Sequence, residues 1–376
     1  MKRVSVTGLV APAVRGLQPY VPGKPISELE REYGVHDIVK LASNENPLGP
    51  GPCARAAMVQ ALVDIGLYPD GSGFELKRRL AAHHGIGIEC LTLGNGSNDV
   101  LVLLAGAFLT PQAEAVYSQY CFAVYPIVVQ ASGATARVVP ALSAHDSMPL
   151  GHDLDALAAS VTPRTRLVFI ANPNNPTGTW IKPEPLLAFL KALPPTTLAI
   201  VDEAYFEYSR NVDCPDTTRW LDDLPNLVVL RTFSKAYGLA GLRVGYAISQ
   251  PEIAETLNRL RQPFNVNSVA LAAAAAALED TEHVRESVEL NRAALRELRA
   301  GLAGLGLKVL PTAGNFVLVD LGRPAGPIYE GMLRRGVIAR PTGSYGLPDH
   351  LRITTGTLEQ TRRAIAALGA VLGIAA

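Results

Sequence analysis

Short apolar runs alternate with segments of helical periodicity along much of the chain, and this alternation constrains the fold more than any other feature. Apolar runs bounded by turn residues predict buried strands, whereas longer periodic segments predict helices. The predicted strands are Arg137–Val139, Leu167–Ile170, Leu198–Val201, Leu227–Leu230 and Val244–Ile248. The predicted helices are Phe74–His84, Asn98–Leu109, Leu154–Ser160, Glu252–Arg261, Val269–Leu278 and Glu282–Leu302. Together they predict an α/β fold with a mostly parallel, doubly wound sheet.

The pattern changes after about residue 265, where long helices are followed by a second set of short apolar runs. Further strands are predicted near Lys308–Leu310, Phe316–Asp320, Val337–Ala339 and Leu351–Thr354. A chain of 376 residues exceeds a typical single core. We therefore expect an N-terminal arm (1–44) that joins a small domain, a large ligand-binding domain (45–264) and a small α+β domain (265–376). The Pro/Gly-rich piece Gln18–Pro25 is typical of an extended segment.

Charge and cysteine content exclude several classes of protein. Lys+Arg 34 balances Asp+Glu 34, which argues against nucleic acid or an anionic membrane as partner. Ser, Thr, Gly and then Pro12 interrupt the apolar residues of Met1–Val10, so no signal peptide is expected, and no run approaches a membrane span. Cys53, Cys90, Cys121 and Cys214 form no metal-binding pattern. They predict reduced thiols, a cytoplasmic protein and no metal.

A glycine-rich motif follows one apolar run, at the point where a ligand of an open α/β sheet would bind. Gly94–Asp99 comes after Leu91–Leu93 and opens a predicted helix. Glycine lets the backbone approach a ligand, and Ser97 with the free N–H groups of the helix start can hold a phosphate. An ordinary strand-to-helix turn is the alternative.

Two more polar motifs follow the next strands along the chain. Two prolines and a glycine make Asn172–Gly178 a rigid loop, in which Asn175 would present its amide to a ligand. Asp202–Tyr205 places a carboxylate at a strand end, where it can pair with a protonated ring nitrogen, and Tyr205 can reach a ring oxygen. A plain turn and a helix N-cap are the respective alternatives.

Lys235 lies in a stretch of small residues and glycines, and Arg243 follows eight residues later. A lysine in such a place is suited to form a Schiff base with a carbonyl. A lysine combined with a phosphate clamp and a carboxylate is what pyridoxal 5'-phosphate (PLP) needs. A solvated surface lysine is the alternative, but four motifs at the ends of four strands together favour a PLP site.

These motifs resemble those of the fold type I PLP-dependent aminotransferases, and within that family they are most similar to the histidinol-phosphate aminotransferases. The segments that carry the resemblance extend over nearly the whole chain: Leu41–Pro47, Tyr68–Gly71, Gly94–Asp99, Asn172–Gly178, Asp202–Tyr205, Ser234–Gly245 and Leu351–Thr357. The resemblance implies amino transfer from L-glutamate to imidazole acetol phosphate, a step of histidine biosynthesis. The products would be L-histidinol phosphate and 2-oxoglutarate.

The resemblance also implies roles for individual residues around the cofactor. Lys235 would bind PLP covalently and later shuttle a proton. Asp202 would face the pyridine nitrogen, while Tyr205 and Asn175 would contact the ring oxygen. The phosphate would be held by Ser97, Asn98, Ser234 and Arg243. The residue that stacks on the ring is usually Tyr in this family, and here Phe122 or Tyr120 would take its place.

Substrate and partner contacts are implied in the same way. Arg352 would anchor the anionic group of the substrate, Arg340 would be a second cationic anchor, and Asn175 would touch the substrate as well. Tyr20 of the arm would close over the site. Tyr68 would reach the cofactor phosphate of the neighbouring subunit, which implies a homodimer.

Three other functions remain open at this point. An aromatic amino-acid aminotransferase that uses phenylpyruvate would carry the same loops, since pocket shape more than motifs separates the two. A threonine-phosphate decarboxylase also handles a phosphorylated amino substrate. The PLP-binding domain of a transcription regulator is disfavoured, because only 40 residues precede Leu41 and the chain carries no net charge.

Overall fold

The computed structural model describes residues 6–374, so the part of the signal-peptide prediction that concerns Met1–Ser5 lies outside the described residues. The strands are β1 (Val39–Lys40), β2 (Leu91–Gly94), β3 (Glu114–Ser118), β4 (Thr135–Val139), β5 (Thr165–Ala171), β6 (Leu198–Asp202), β7 (Leu227–Thr232), β8 (Gly245–Ser249), β9 (Lys308–Val309), β10 (Phe316–Asp320), β11 (Val337–Ile338), β12 (Arg340–Thr342) and β13 (Leu347–Thr354). The helices are α1 (Pro12–Arg15), α2 (Ile26–Tyr33), α3 (Pro52–Ala61), α4 (Phe74–His84), α5 (Ser97–Phe108), α6 (Val124–Ala131), α7 (Leu154–Ala159), α8 (Pro183–Ala192), α9 (Phe206–Ser209), α10 (Pro251–Leu260), α11 (Ser268–Ala277), α12 (Thr281–Gly304), α13 (Ala325–Leu333) and α14 (Leu358–Leu372).

A seven-stranded sheet with the order β2-β8-β7-β6-β5-β3-β4 forms the centre of the molecule. β8 runs antiparallel to both of its neighbours, and the other pairings are parallel. Successive residues of β5 enter different hydrophobic clusters, Leu167 and Phe169 one and Val168 and Ile170 the other. Burial on both faces explains why the strands appear as continuous apolar runs. The predicted α/β class with a mostly parallel sheet is confirmed.

One strand of this sheet, β3, was not predicted from the sequence. It begins with Glu114, a carboxylate that is fully buried. The side chains of Arg137, Arg164 and Thr162 supply its partners, and they come from elsewhere in the chain. A buried charge is acceptable only with such partners, so the strand could not be recognised from its own residues.

A second, four-stranded sheet with the order β12-β13-β10-β9 is antiparallel throughout. Arg340 on β12 lies directly across from Arg352 on β13, which places the two predicted anchors side by side. The segment 1–44 joins this part through a parallel pair between its strand β1 and β11. The expected division into 1–44, 45–264 and 265–376 stays a prediction.

The six predicted helices correspond to α4, α5, α7, α10, α11 and α12 within two residues at each end, and the other helices were not predicted. Helix α4 has the predicted bounds, and α12 extends over 24 residues. Thr357 opens α14 with a capping box completed by Gln360. Within residues 6–374, none of the helices combines the length and the apolar character that crossing a membrane requires.

Candidate active site

One cavity lies where the four sequence motifs meet, beyond the carboxyl ends of β2, β5, β6 and β7. Strand ends of a parallel sheet share one edge, so residues distant in sequence come together there. The predicted site residues that line the cavity are Tyr20, Ser97, Asn98, Phe122, Asn175, Asp202, Tyr205, Ser234, Lys235, Arg243 and Arg352. Arg340 and Tyr68 lie outside its lining.

The first group at this edge is an anion cradle, formed by the start of α5 and the side chains of Ser234 and Arg243. Arg243 has a left-handed backbone (φ +56°), and its Nη1 donates to Ser234 Oγ at 3.3 Å. A side chain at Gly96 would collide with that guanidinium, 2.5 Å from its Nη2. Cationic and N–H donors at a helix start favour a phosphate. The cradle therefore has both the charge and the open space that a phosphate needs.

Lys235 projects into the cavity after β7, and its Nζ donates to the carbonyl oxygen of Ser43 at 3.2 Å. Loss of water around the amine is the largest effect on its pKa, which falls from 10.5 to about 8, and the positive charge of Arg352 adds to it. Such an amine is neutral in an appreciable fraction of molecules at neutral pH. It can therefore act both as a nucleophile and as a base.

Asp202 ends β6 with its carboxylate buried, and Tyr125 donates its hydroxyl to Asp202 Oδ2 at 3.0 Å. Burial raises the pKa of Asp202 from 3.8 to about 6. Within residues 6–374 the carboxylate has no arginine or lysine in ion-pair contact. It is thus a buried acid ready to pair with a cationic ligand group.

Arg352 is buried, and its guanidinium is fixed by two contacts. Nη1 donates to Asn175 Oδ1 at 2.6 Å and Nη2 donates to the carbonyl of Ala42 at 2.5 Å. Its Nε is buried without a partner among the described residues. A cation held in this way can bind a carboxylate or a phosphate, and its bond to Asn175 orients that amide as well.

Arg340 lies next to Arg352 on the sheet but outside the lining of the first cavity. It is buried, its Nη2 donates to the carbonyl of Val21 at 2.6 Å, and its Cζ lies 5.5 Å from the ring centroid of Tyr20. Tyr20 also lines the first cavity. The arm therefore covers Arg340, and Tyr20 borders both this guanidinium and the first cavity.

The structure separates the two aromatic candidates for ring stacking. Phe122 lines the cavity and packs edge-on against Tyr125. Tyr120 packs instead against a separate apolar cluster with Leu310 and Leu347, and its carbonyl accepts from Asn174. Between the two, Phe122 is the one in a position to touch a ligand.

Tyr68 is 83% exposed and stacks on Phe264 with ring centroids 4.8 Å apart. Phe264 has a left-handed backbone (φ +57°), which is rare for an aromatic residue. The pair projects from the surface rather than into the chain's own cavity. This position is compatible with a role toward a second subunit.

Three residues near the ligand space had no predicted role. Tyr125 holds Asp202, the carbonyl of Ser43 accepts from Lys235, and Asn44 donates its amide to the hydroxyl of Tyr205 at 2.8 Å. Ser43 and Asn44 belong to a motif that carried the resemblance. Their place in Leu41–Pro47 could have suggested Ser43 and Asn44 as site residues, but only the fold shows what they contact.

The residues present fit PLP. The phosphate cradle, the amine of Lys235 and the carboxylate of Asp202 supply the three chemical groups that this cofactor requires. The close approach of the Arg243 guanidinium to Gly96 is the observation that tests the fit, because any side chain at Gly96 would push this cation out of the cradle.

Comparison with known proteins agrees with this geometry. The family described as "Aminotransferase class I and II" matches residues 36–368. The chain is 56% identical to histidinol-phosphate aminotransferase 2 of Methylococcus capsulatus, over 98% of this chain and 100% of that protein. It is 52% identical to histidinol-phosphate aminotransferase 2 of Pseudomonas aeruginosa, over 97% and 98%. The crystal structure of histidinol-phosphate aminotransferase from Sinorhizobium meliloti in complex with pyridoxal-5'-phosphate is similar, with a TM-score of 0.88, 32% identity and coverage of 97% of each chain.

Proposed function

Because the chain belongs to the class I and II aminotransferase family, we propose that it transfers the amino group of L-glutamate to imidazole acetol phosphate, with PLP as cofactor. The products are 2-oxoglutarate and L-histidinol phosphate. One observation carries the proposal: a single cavity combines the amine of Lys235, the carboxylate of Asp202 and the guanidinium groups of Arg243 and Arg352. The relatives over 50% identical support the choice of substrates.

Different residues around the cavity hold different parts of the cofactor. Ser97, Asn98, Ser234 and Arg243 hold its phosphate, and Asp202 faces its ring nitrogen. Tyr205 and Asn175 face the ring oxygen, and Phe122 stacks on the ring. When bound, PLP supplies a carbonyl that exchanges with amino groups and a ring that accepts electrons from the substrate carbon.

Lys235 moves the proton of the reaction at its Nζ. An amine with a pKa near 8 is neutral in an appreciable fraction at neutral pH, so it can take a proton from a substrate carbon and return it. The positive charges of Arg352 and Arg243 help to keep the amine neutral. Asp202 holds the negative charge that a protonated ring nitrogen requires.

The two arginines bind the anionic ends of both substrates. L-Glutamate brings two carboxylates, and the keto phosphate brings a phosphate in place of an α-carboxylate. Guanidinium groups suit both anions. Arg352 already lines the cavity, and Arg340 joins it when Tyr20 moves from this guanidinium toward the substrate. In its new position Tyr20 covers the bound substrate and excludes water.

A homodimer completes the site in this proposal, with Tyr68 contacting the cofactor phosphate of the partner subunit. The support is a surface cluster of apolar side chains that are at least 43% exposed: Val59, Leu62, Val63, Ile65, Leu67, Tyr68 and Phe264. Apolar clusters of this kind are typical of protein interfaces. Size-exclusion chromatography with light scattering would measure the mass, and a monomer at micromolar concentration would contradict the dimer.

Two coarser features belong to the same proposal. The arm (1–44) joins the small domain (265–376), and the large domain (45–264) holds the cofactor. The support is that the four-stranded sheet lies within 265–376 and that β1 of the arm pairs with β11. A cytoplasmic location is proposed from the spacing of the cysteines.

Steady-state rates with two acceptors test the function. Purified protein with PLP and L-glutamate is given imidazole acetol phosphate or phenylpyruvate, and kcat/KM is compared. We expect at least about tenfold higher kcat/KM on the phosphate, because two guanidinium groups bind a phosphate, with up to two negative charges, better than the single carboxylate of phenylpyruvate. A preference for phenylpyruvate would instead assign the chain to the aromatic aminotransferases. If L-glutamate did not transfer its amino group to the bound cofactor, transamination as such would be contradicted.

A further inference from the structure

Asn44 and Arg243 are the two residues of the cavity lining other than glycine that have a left-handed backbone. Asn44 is fully buried, and its backbone lies in the left-handed region with φ +57°. L-residues other than glycine rarely adopt this conformation, although asparagine tolerates it better than most. A conformation with this cost is kept where the surroundings hold it and where it serves the site.

The hydrogen bonds of Asn44 fix which way its amide points. Its backbone N–H donates to Thr354 Oγ1 at 3.0 Å, and Thr354 Oγ1 donates to Asn44 Oδ1 at 2.9 Å. A hydroxyl has a single proton, so that of Thr354 is used on the amide oxygen. The amide nitrogen must then face the other way, and it donates to the hydroxyl oxygen of Tyr205 at 2.8 Å.

This arrangement determines what the hydroxyl of Tyr205 can do. Because its oxygen accepts from Asn44, its own proton is directed away from Asn44 and remains available to the cavity. Burial raises the pKa of Tyr205 to about 12, so the proton is present at neutral pH. The titratable groups that face this side chain are Lys235, Asp202, Arg352, Tyr125, Tyr208 and Tyr345.

The same contacts connect Tyr205 with the strand that anchors the substrate. Thr354 and Arg352 are two residues apart on β13, and the backbone of residues 41–44 runs beside them. The Leu41 carbonyl accepts from the N–H of Thr354, and the Ala42 carbonyl accepts from Arg352. The position of Asn44 therefore depends on β13 of the four-stranded sheet, whereas the Tyr205 that it contacts lies just after β6 of the seven-stranded sheet.

We infer that Asn44 is a positioning residue that fixes the hydroxyl of Tyr205 as a hydrogen-bond donor toward the ring oxygen of the bound cofactor. The inference rests on the proposed PLP function. A donor to the ring oxygen stabilises negative charge there and so disfavours a proton on the nitrogen that joins Lys235 to the cofactor. Asn44 thus lowers the pH at which the loaded protein changes its visible absorption.

The experiment is a pH titration of the visible absorption band of the PLP-loaded protein. Asn44→Gly removes the amide and keeps the left-handed backbone, because glycine adopts it freely. We expect the midpoint to rise by about one pH unit, the equivalent of one hydrogen bond. Tyr205→Phe should raise it equally, and the double variant should show no further rise. Asn211→Gly, an exposed asparagine, is the matched control.

Asn44→Asp gives a second measurement that keeps the shape of the side chain. Its carboxylate only accepts, so it would draw the proton of Tyr205 away from the cavity, and the midpoint should rise more than in Asn44→Gly. An unchanged midpoint in both Asn44 variants, or shifts of Asn44→Gly and Tyr205→Phe that add, would overturn the inference and leave the proposed function intact. If the wild-type protein showed no visible band with PLP, the proposed function would fail, and the inference with it.

Discussion

The cavity has two walls that are built in different ways. The sheet wall, formed by Ser97, Asn175, Asp202 and Lys235, consists of residues at the ends of strands of the large sheet or within four positions of them. The arm wall is formed by Arg352 and Tyr20, with Arg340 beside them but outside the cavity lining. It depends on contacts between distant parts of the chain, such as Arg340 with Val21, 319 positions apart. The strands of the large sheet hold the side chains of the sheet wall in fixed positions, which suits the groups that bind the cofactor and transfer the proton. The arm wall can change its contacts, which suits the selection of a substrate.

Loss of the amine from the sheet wall should have the largest effect. Lys235→Ala removes both the nucleophile and the base, so transamination should fall by at least about 10⁴-fold. The measurement is kcat with L-glutamate and imidazole acetol phosphate. Lys191→Ala, an exposed lysine on α8, should retain full activity. If Lys235→Ala kept more than a hundredth of the wild-type kcat, the chemistry would have to be assigned to another residue.

Loss of the cation from the arm wall should have the next largest effect. Arg352→Ala leaves a substrate anion without its partner and releases Asn175, so kcat/KM should fall about 10²- to 10³-fold for both L-glutamate and the keto phosphate. Arg362→Ala, an exposed arginine on α14, is the control. A loss for one substrate alone would show that Arg352 does not serve both.

The carboxylate of the sheet wall should produce a pH-dependent stability in the cofactor-free protein. The pKa of Asp202 in the folded state is raised to about 6 from 3.8. Folding therefore favours the protonated form, and this advantage is present below pH 4 and is lost as pH rises through 6. Relative to Asp202→Asn, the free energy of unfolding of the wild type should fall by about 3 kcal/mol over this range.

Urea unfolding of both proteins at a series of pH values measures that difference. Asp155→Asn, an exposed aspartate on α7, should differ from the wild type by a constant amount. A pH-independent difference for Asp202→Asn would mean that the carboxylate is ionised in the fold at no cost.

The smallest effect is expected at the contact between Tyr68 and Phe264. Phe264→Leu removes the stack that orients Tyr68, so PLP should dissociate with a Kd about five- to tenfold higher, as for the loss of one aromatic pair. Spectroscopic titration of the cofactor-free protein with PLP measures this. Phe74→Leu, at an exposed phenylalanine that does not stack on Tyr68, is the control. Equal Kd values for PLP in wild type and Phe264→Leu would show that Phe264 has no part in cofactor binding.

The sequence predicts the sheet wall better than the arm wall, and the reason is physical. Asp202 and Lys235 follow apolar runs, so a general rule on strand ends places them at the cavity. Arg340 and Tyr20 contact one another only because the chain returns over more than 300 residues, which no local pattern records. The same limit hid β3, whose Glu114 is satisfied by distant arginines. It also hid the role of Asn44, whose partners Tyr205 and Thr354 are 161 and 310 positions away.

The ratio of kcat/KM for imidazole acetol phosphate to that for phenylpyruvate, in the wild type and in Arg340→Ala, tests the division between the two walls most directly. If the arm wall selects the substrate, the variant should lose at least about tenfold on the phosphate and keep its rate on phenylpyruvate, so the ratio falls. An unchanged ratio, or an equal loss on both acceptors, would contradict the account, since Arg340 would then have no part in recognising the phosphate.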